Sequence, residues 1–177
     1  LDAATGKVQW QTSLGSEIST SVVRSGDTLY VGTVDGQFHQ VDAKAGKVVR
    51  SHRLDAALRP RSVPIVTGDA IFVLLMDAGE DSRAVVSLDR SLERVHWRIA
   101  APDKWSTSRL FISGNTLILG TRTGGVLTYC TSDGTPAWTH TVNGTVRAIG
   151  GADDAVYVGT VEGRLFAVKP PETCATR

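Results

Sequence analysis

The sequence predicts an all-β protein built from a repeated unit of four short antiparallel strands. A ten-residue phrase opens the chain at Leu1, and related phrases begin at Val41, Leu88, Tyr129 and Val168. Between these phrases apolar residues alternate with polar ones, and glycine-containing turns recur every eight to twelve residues or so, which is typical of antiparallel strands. A repeat of about 40 residues made of strands indicates a β-propeller or a related array.

The first complete unit shows the plan most clearly. The turn Ser25-Gly26-Asp27 separates two apolar stretches, and Val34-Asp35-Gly36 reverses the chain again. Glycine suits such turns because it adopts positive φ without steric penalty. The predicted strands of this unit are residues 18–24, 28–33, 37–42 and 47–54.

The remaining units follow the same plan over the single domain 1–177. We place the four blades at about 18–54, 62–100, 107–142 and 145–169, followed by a tail at 170–177. The second unit has an enlarged turn, residues 76–83. Residues 1–12 are predicted as an unpaired outer strand, and the last unit lacks its fourth strand.

This unequal distribution of strands leaves two arrangements open. Propellers often remove their exposed edges by pairing a strand from one end of the chain with the last blade. The chain is then either a complete four-bladed ring or part of a ring of six to eight blades. Because the sequence begins inside a repeat, we expect the second arrangement.

Composition excludes several classes of function. The chain has 19 basic and 18 acidic residues, so no global charge favours nucleic acid or an anionic membrane. No apolar run approaches the roughly 20 residues of a membrane span. Cys130 and Cys174 either pair or stay free, and their spacing does not suit a zinc site.

Two halves of the repeat carry a resemblance to a known family. The phrase at residues 2–10, Asp-Ala-Ala-Thr-Gly-Lys-Val-Gln-Trp, precedes Leu-Tyr-Val-Gly-Thr-Val-Asp-Gly at 29–36, and the second half recurs near 117–125 and 156–163. This pattern resembles the PQQ-like repeat of quinoprotein-type β-propellers, a family that includes quinoprotein alcohol dehydrogenases and BamB-like assembly proteins. The resemblance covers essentially the whole chain and departs from the family at Arg50, where the repeat tryptophan is absent.

The resemblance implies a packing role for the repeat residues. In the family the tryptophan packs between neighbouring blades, near a glycine of an adjacent motif, because a large flat side chain fills the wedge between twisted sheets. The matching positions here are Trp10, Trp97, Trp138, Gly32, Gly120 and Gly159.

No catalytic constellation is recognisable in the sequence. The four histidines are scattered and are expected to be exposed strand residues without a paired carboxylate or nucleophile. Asp77, Glu80 and Asp81 share one loop, but loop carboxylates are usually solvated, so we predict no metal site. The adjacent cysteines and acidic cluster of the quinone-dependent enzymes are missing, so we expect neither PQQ nor another cofactor.

A binding role fits the sequence better than catalysis. Trp105 falls outside the repeat position, in a polar stretch, and an aromatic residue near arginines on a loop is typical of an interaction patch. The alternative is that Trp105 caps a neighbouring blade. The candidate binding residues lie in or near connections between blades, and they are Arg59, Arg61, Lys104, Trp105, Arg109 and Arg147.

We therefore expect a non-enzymatic scaffold that binds a protein on the propeller face or at the channel mouth, without nucleic acid and without a transmembrane segment. The resemblance implies a periplasmic or extracellular location on a bacterial membrane and a part in outer-membrane assembly. Two alternatives stay open: a fragment of a PQQ-dependent dehydrogenase, and the sensing domain of a larger receptor such as a bacterial Ser/Thr kinase.

Overall fold

The computed structural model describes residues 4–79, 83–100, 109–152, 155–169 and Cys174, and it confirms an all-β array of antiparallel sheets. Each sheet is a meander, so that strands adjacent in sequence are hydrogen-bonded neighbours. The first sheet contains β1 (Val23–Ser25), β2 (Thr28–Gly32), β3 (Gln37–Asp42) and β4 (Val48–Arg53). The second contains β5 (Arg59–Val66), β6 (Ala70–Met76), β7 (Arg83–Asp89) and β8 (Val95–Ala100). The third contains β9 (Phe111–Ser113), β10 (Thr116–Gly120), β11 (Gly125–Cys130) and β12 (Pro136–Thr141).

The fourth sheet has three strands, as the sequence predicted: β13 (Val146–Ala152), β14 (Ala155–Thr160) and β15 (Leu165–Val168). Residues 4–12, in contrast, form no ladder with the strands that the structure describes. The unpaired outer strand predicted at 1–12 stays a prediction, because a strand without a hydrogen-bonded neighbour forms no ladder. A side chain anchors this segment, since Trp10 packs on Gly46 of the first sheet and its Nε1 donates to the carbonyl of Ala43 at 3.0 Å.

Three apolar clusters join consecutive sheets. One cluster links the first and second sheets around Phe38 and Leu88, and another links the second and third around Phe72 and Leu117. The third links the last two sheets, with Val126 among its buried members. Layers of apolar side chains between sheets are the arrangement expected of propeller blades.

The second sheet is the most deeply buried part of the described array. Every residue of β6, with sequence Ala-Ile-Phe-Val-Leu-Leu-Met, is buried. Because one face of this sheet contacts the first sheet and the other contacts the third, both faces need apolar side chains. This explains why β6 is a continuous apolar run rather than an alternating one.

The two sheets at the ends of the array keep apolar side chains in solvent. In the fourth sheet and its turn, Tyr157, Val161 and Leu165 are exposed, and Leu165 is 76% exposed. Ile18 and Val22, which precede β1, are also exposed.

The contact between tryptophan and glycine recurs, with a different glycine from the one predicted. A Cβ added to Gly134 would lie 2.8 Å from Cδ2 of Trp97, and the indole Nε1 donates to the carbonyl of Thr131 at 2.9 Å. Gly46 and Gly134 both occupy the turn between the third and fourth strands of a sheet. The repeat tryptophan therefore packs on the turn glycine of the following sheet.

The predicted glycine partners are corrected accordingly. Gly32 lies against Pro60 and Thr20 rather than against an indole, since a Cβ there would be 2.5 Å from Cβ of Pro60. At Gly159, the Cβ of Ala148, 3.7 Å away, is the one atom of the described residues within contact distance of such an added atom. Trp138 stacks on His140, with ring centroids 5.4 Å apart.

The first sheet has Arg50 in place of the repeat tryptophan, and the second sheet lacks the turn glycine that would receive it. Where the other repeats place the turn glycine, the second sheet has Glu93, and the Arg50 guanidinium contacts its carboxylate at 2.8 Å. The preceding residue, Leu92, is 1% exposed and has a φ of 59°. An ion pair and a buried leucine thus replace the indole and the glycine together.

Candidate functional site

All four sheets contribute to one cavity of about 730 Å³. Its lining includes residues 18–21 before β1, the start of the first strand of the second and fourth sheets, and Arg109 just before β9. Residues from turns between second and third strands complete it. In an antiparallel meander these turns and the connections between blades lie at the same end of each sheet, so the cavity opens on one face of the array.

Five arginines line this space, which we call the arginine cavity. Its lining contains no aspartate, glutamate, histidine or aromatic residue among the described parts of the chain. The other polar side chains of the lining belong to serine and threonine. The arginines are Arg61, Arg83, Arg109, Arg122 and Arg147.

The arginines differ in their exposure. Arg83 is buried, at 7% exposed, and Arg61 is half-buried, whereas Arg109, Arg122 and Arg147 are exposed. The arginine cavity therefore has guanidinium groups both in its interior and on its rim. Since guanidinium groups offer only donors, such an arrangement recognises acceptor groups, above all phosphate and carboxylate.

Two buried hydroxyl groups add to these donors. Ser19 Oγ and Ser62 Oγ are buried without a hydrogen-bond partner among the described residues, and both serines line the arginine cavity. Ser62 also has a φ of 70°, in a region that residues other than glycine rarely adopt. Its carbonyl accepts from the backbone N–H of Ser21 at 3.2 Å, which connects the first and second sheets beside the cavity.

A carboxylate near the rim is committed to the backbone. Glu162 accepts from the N–H of Thr145, with its two oxygens at 3.0 and 3.2 Å from that nitrogen. This hydrogen bond is the main cause that lowers the pKa of Glu162 below its usual value. Thr145 lines the arginine cavity, whereas Glu162 does not belong to the lining.

The predicted binding residues separate into three groups. Arg61, Arg109 and Arg147 meet in the arginine cavity, while Arg59 lines a smaller cavity of about 190 Å³ beside Asp35 and Gly36. Lys104 and Trp105 lie outside the described residues.

Sequence reasoning missed Arg83 and Arg122. Arg122 lies in the turn between the second and third strands of its sheet, and Arg83 is the first residue of β7, directly after such a turn, whereas the predicted residues lie in or near the connections between blades. The predicted topology could have identified them, because the turns between second and third strands lie at the same end of an antiparallel sheet as the connections between blades.

His39 forms the other polar cluster of note. The prediction that the histidines are exposed is wrong for His39, which is 4% exposed. Its Nδ1 lies 2.7 Å from Ser51 Oγ, its Nε2 lies 3.0 Å from Thr33 Oγ1, and that hydroxyl donates to Asp35 at 2.6 Å. Burial lowers the pKa of His39, while the nearby Asp35 charge opposes the shift. This network joins β3, β4 and the turn that follows β2, and its residues do not belong to the lining of the arginine cavity.

The two cysteines form a disulfide bond. Cys130, at the end of β11, is joined to Cys174 across 44 positions of sequence. The predicted group Asp77, Glu80 and Asp81 falls partly outside the described residues, as Glu80 and Asp81 are not among them. Elsewhere in the described chain, no three histidine, cysteine or carboxylate side chains are grouped as metal ligands would be.

None of the described residues belongs to a helix long and apolar enough to cross a membrane.

The repeat, the sheet order and the interblade tryptophans define the chain as a β-propeller of PQQ-like repeats. The family model described as outer membrane protein assembly factor BamB matches residues 1–79 and 64–172. The chain belongs to this family.

Solved structures agree on the fold. BamB from Moraxella catarrhalis superimposes with a TM-score of 0.65 at 21% identity, over 96% of this chain and 55% of its own length. The computationally designed Ika4 protein gives a TM-score of 0.72 at 15% identity, over 93% of this chain and 98% of its own.

A curated relative adds a dehydrogenase to the comparison. Quinohemoprotein alcohol dehydrogenase ADH IIB from Pseudomonas putida is 34% identical over 74 residues, which cover 36% of this chain and 11% of the relative. The chain thus spans a small part of that enzyme and about half of BamB.

Proposed function

We propose that this chain is a non-enzymatic propeller module that binds a partner protein at the face where the arginine cavity opens. The observation that carries the proposal is the convergence of Arg109, Arg122 and Arg147, from two sheets, on one exposed rim. Exposed arginines pair with carboxylates in fixed geometry, and arginine is enriched at protein interfaces. The expected partner surface is therefore acidic.

The lining of the arginine cavity argues against alcohol oxidation by this chain. Removing a proton from an alcohol needs a general base within hydrogen-bond reach. The described lining offers arginine, serine, threonine and apolar side chains, and none of these is a base near neutral pH. Nor does it offer an aromatic side chain against which a flat quinone could stack. These residues do not fit PQQ.

The proposed location is the periplasm or the extracellular face of a bacterial membrane. Two observations support it: membership of a family described by outer-membrane assembly, and the Cys130–Cys174 bond. Structural disulfides persist in oxidising compartments and are rare in the cytosol.

Site-specific photocrosslinking in cells tests the proposed function. A photoreactive residue would replace Arg122 or Arg147 on the rim, with Lys47, an exposed residue at the opposite end of the first sheet, as the matched control. We expect a discrete crosslinked protein from the rim positions, displaced by excess unlabelled chain and absent from the Lys47 position. Equal crosslinking from both ends, or none from the rim, would contradict the proposal. Dye-linked alcohol oxidation by the full-length protein with Ca²⁺ and PQQ would favour the dehydrogenase instead.

A further inference from the structure

We infer that the arginine cavity is a binding site for a small, non-aromatic polyanion that carries several phosphate or carboxylate groups. This inference goes beyond the proposed partner protein, because it concerns the interior of the cavity and a ligand that enters it. It follows from the charge, the hydrogen-bonding capacity, the backbone and the size of the described lining.

The charge of the lining is unbalanced. Five arginines converge, and the described lining contains no acidic residue, so this part of the chain has a positive potential that attracts anions. A bound anion would neutralise this field from inside the cavity.

The hydrogen-bonding capacity of the lining also selects an acceptor. Ser19 Oγ and Ser62 Oγ are buried and have no partner within the described chain. Leaving a buried hydroxyl without a partner is unfavourable, and such groups in native proteins are usually satisfied by a ligand or by water. Guanidinium and hydroxyl donors together match the oxygen atoms of an oxyanion.

The backbone at Ser62 shows a further feature of binding sites. Its φ of 70° is strained for any residue with a side chain, and strain of this kind concentrates at ligand-binding positions. Glycine would adopt this conformation without penalty, but it would remove the buried hydroxyl. The sequence thus has serine at position 62, where the backbone conformation favours glycine.

The size and composition of the cavity restrict the class of ligand that it can bind. A volume of about 730 Å³ lies within the range of sites for small molecules, and it exceeds the space that one phosphate ion needs. Several arginines can then engage separate anionic groups of one molecule. The described part of the lining provides no aromatic surface for stacking, which disfavours a flat conjugated ligand.

Calorimetric titration of the whole chain in a phosphate-free, low-salt buffer tests this inference. The probes are sodium tripolyphosphate and citrate, which represent the phosphate and carboxylate sources, and a short poly-glutamate peptide represents a macromolecular acid. We expect saturable one-to-one binding of at least one of the two small probes. Tighter binding of tripolyphosphate would assign phosphate chemistry, and tighter binding of citrate would assign carboxylates. Absence of binding by both, or binding of poly-glutamate alone, would overturn the inference.

Matched variants locate the binding. R109Q/R147Q removes two exposed charges from the rim, and K7Q/K47Q removes two exposed charges outside the arginine cavity. We expect at least tenfold weaker binding for R109Q/R147Q and less than a twofold change for K7Q/K47Q. Equal weakening in the two variants would show that the probe responds to net charge alone and would overturn the site.

Ser62→Gly separates a binding role from a structural one. Because glycine relieves the positive φ and removes the hydroxyl, we expect a higher melting temperature without ligand and weaker binding of the preferred probe. Unchanged affinity would exclude Ser62 from the site and overturn its part in the inference. Failure of these titrations would leave the photocrosslinking result untouched, since crosslinking reports a partner protein rather than a small anion.

Discussion

Replacing Gly134 by alanine tests whether the indole of Trp97 joins the second and third sheets. Gly134 has a φ of 73°, and an added Cβ would lie 2.8 Å from Cδ2 of Trp97, with other indole atoms at 3.0 and 3.1 Å. The substitution therefore combines backbone strain with a collision against a side chain that is 9% exposed. Because that side chain belongs to the cluster between the two sheets, the indole can retreat only by disturbing its neighbours.

A matched control separates the two effects. Gly114 has a φ of 53°, and an added Cβ there meets nothing within 4 Å. Left-handed backbone costs an alanine about 1–2 kcal/mol, so G114A should lower the free energy of unfolding by that amount. Overpacking typically costs about 1–3 kcal/mol, so G134A should be destabilised by about that much more than G114A.

Urea denaturation of wild type, G114A and G134A measures this difference. A second comparison uses Trp97→Leu as the background, in which the collision is relieved and G134A should resemble G114A. Equal destabilisation by the two glycine substitutions in the wild-type background would refute the reasoning, because strain alone would then explain both.

Three further predictions concern other features of the fold. Arg50→Ala should lower the free energy of unfolding by less than about 1 kcal/mol, because its ion pair with Glu93 is exposed, and chemical denaturation would show a larger loss if the pair held the sheets together. Cys174→Ser should lower it by about 2–4 kcal/mol, because the bond to Cys130 spans 44 positions, and the loss should match the effect of a reductant on wild type. Burial holds the pKa of His39 below 6.5, so the unfolded chain takes up the proton first as the pH falls. The free energy of unfolding of the wild type should therefore decrease between about pH 7 and 5, and His39→Gln should make it depend less on pH in this range. An unchanged pH profile in thermal melts would contradict the assignment.

The strands were predictable because local signals define them. Period-two alternation and turn glycines such as Gly26 and Gly36 act within a few residues, and the structure has hairpins at both positions. Local signals do not predict that every residue of β6 is buried, because this burial depends on the sheets that contact both of its faces.

The glycine that receives the tryptophan was not predictable from one sequence. Gly32 and Gly46 both have counterparts in other repeats, so the sequence alone does not decide which of them meets the indole. In the structure Pro60 occupies the space beside Gly32, and the indole of Trp10 packs on Gly46. The repeat alignment shows that Arg50 replaces the tryptophan and that Glu93 replaces the glycine. Only the structure shows that these two residues form an ion pair with each other.

The arginine cavity was predictable only in part. Arg61, Arg109 and Arg147 lie in or near connections between blades, which sequence reasoning could locate from the repeat. Arg83 lies at the end of the enlarged turn of the second sheet, and nothing in its local sequence distinguishes it from a solvated turn residue. Arg83 is nevertheless buried, at 7% exposed.

Crosslinking across the arginine cavity tests the central claim most directly. Ser21, in the segment before β1, and Arg147, in the fourth sheet, both line this cavity. The two native cysteines are already joined, so cysteines introduced at these positions are the only free thiols. With a short bis-maleimide, S21C/R147C should give an intramolecular crosslink in the monomer, while K47C/R147C, with one thiol at the opposite end of the first sheet, should not. Absence of the crosslink in S21C/R147C, or equal yield in both, would contradict a single cavity enclosed by four sheets.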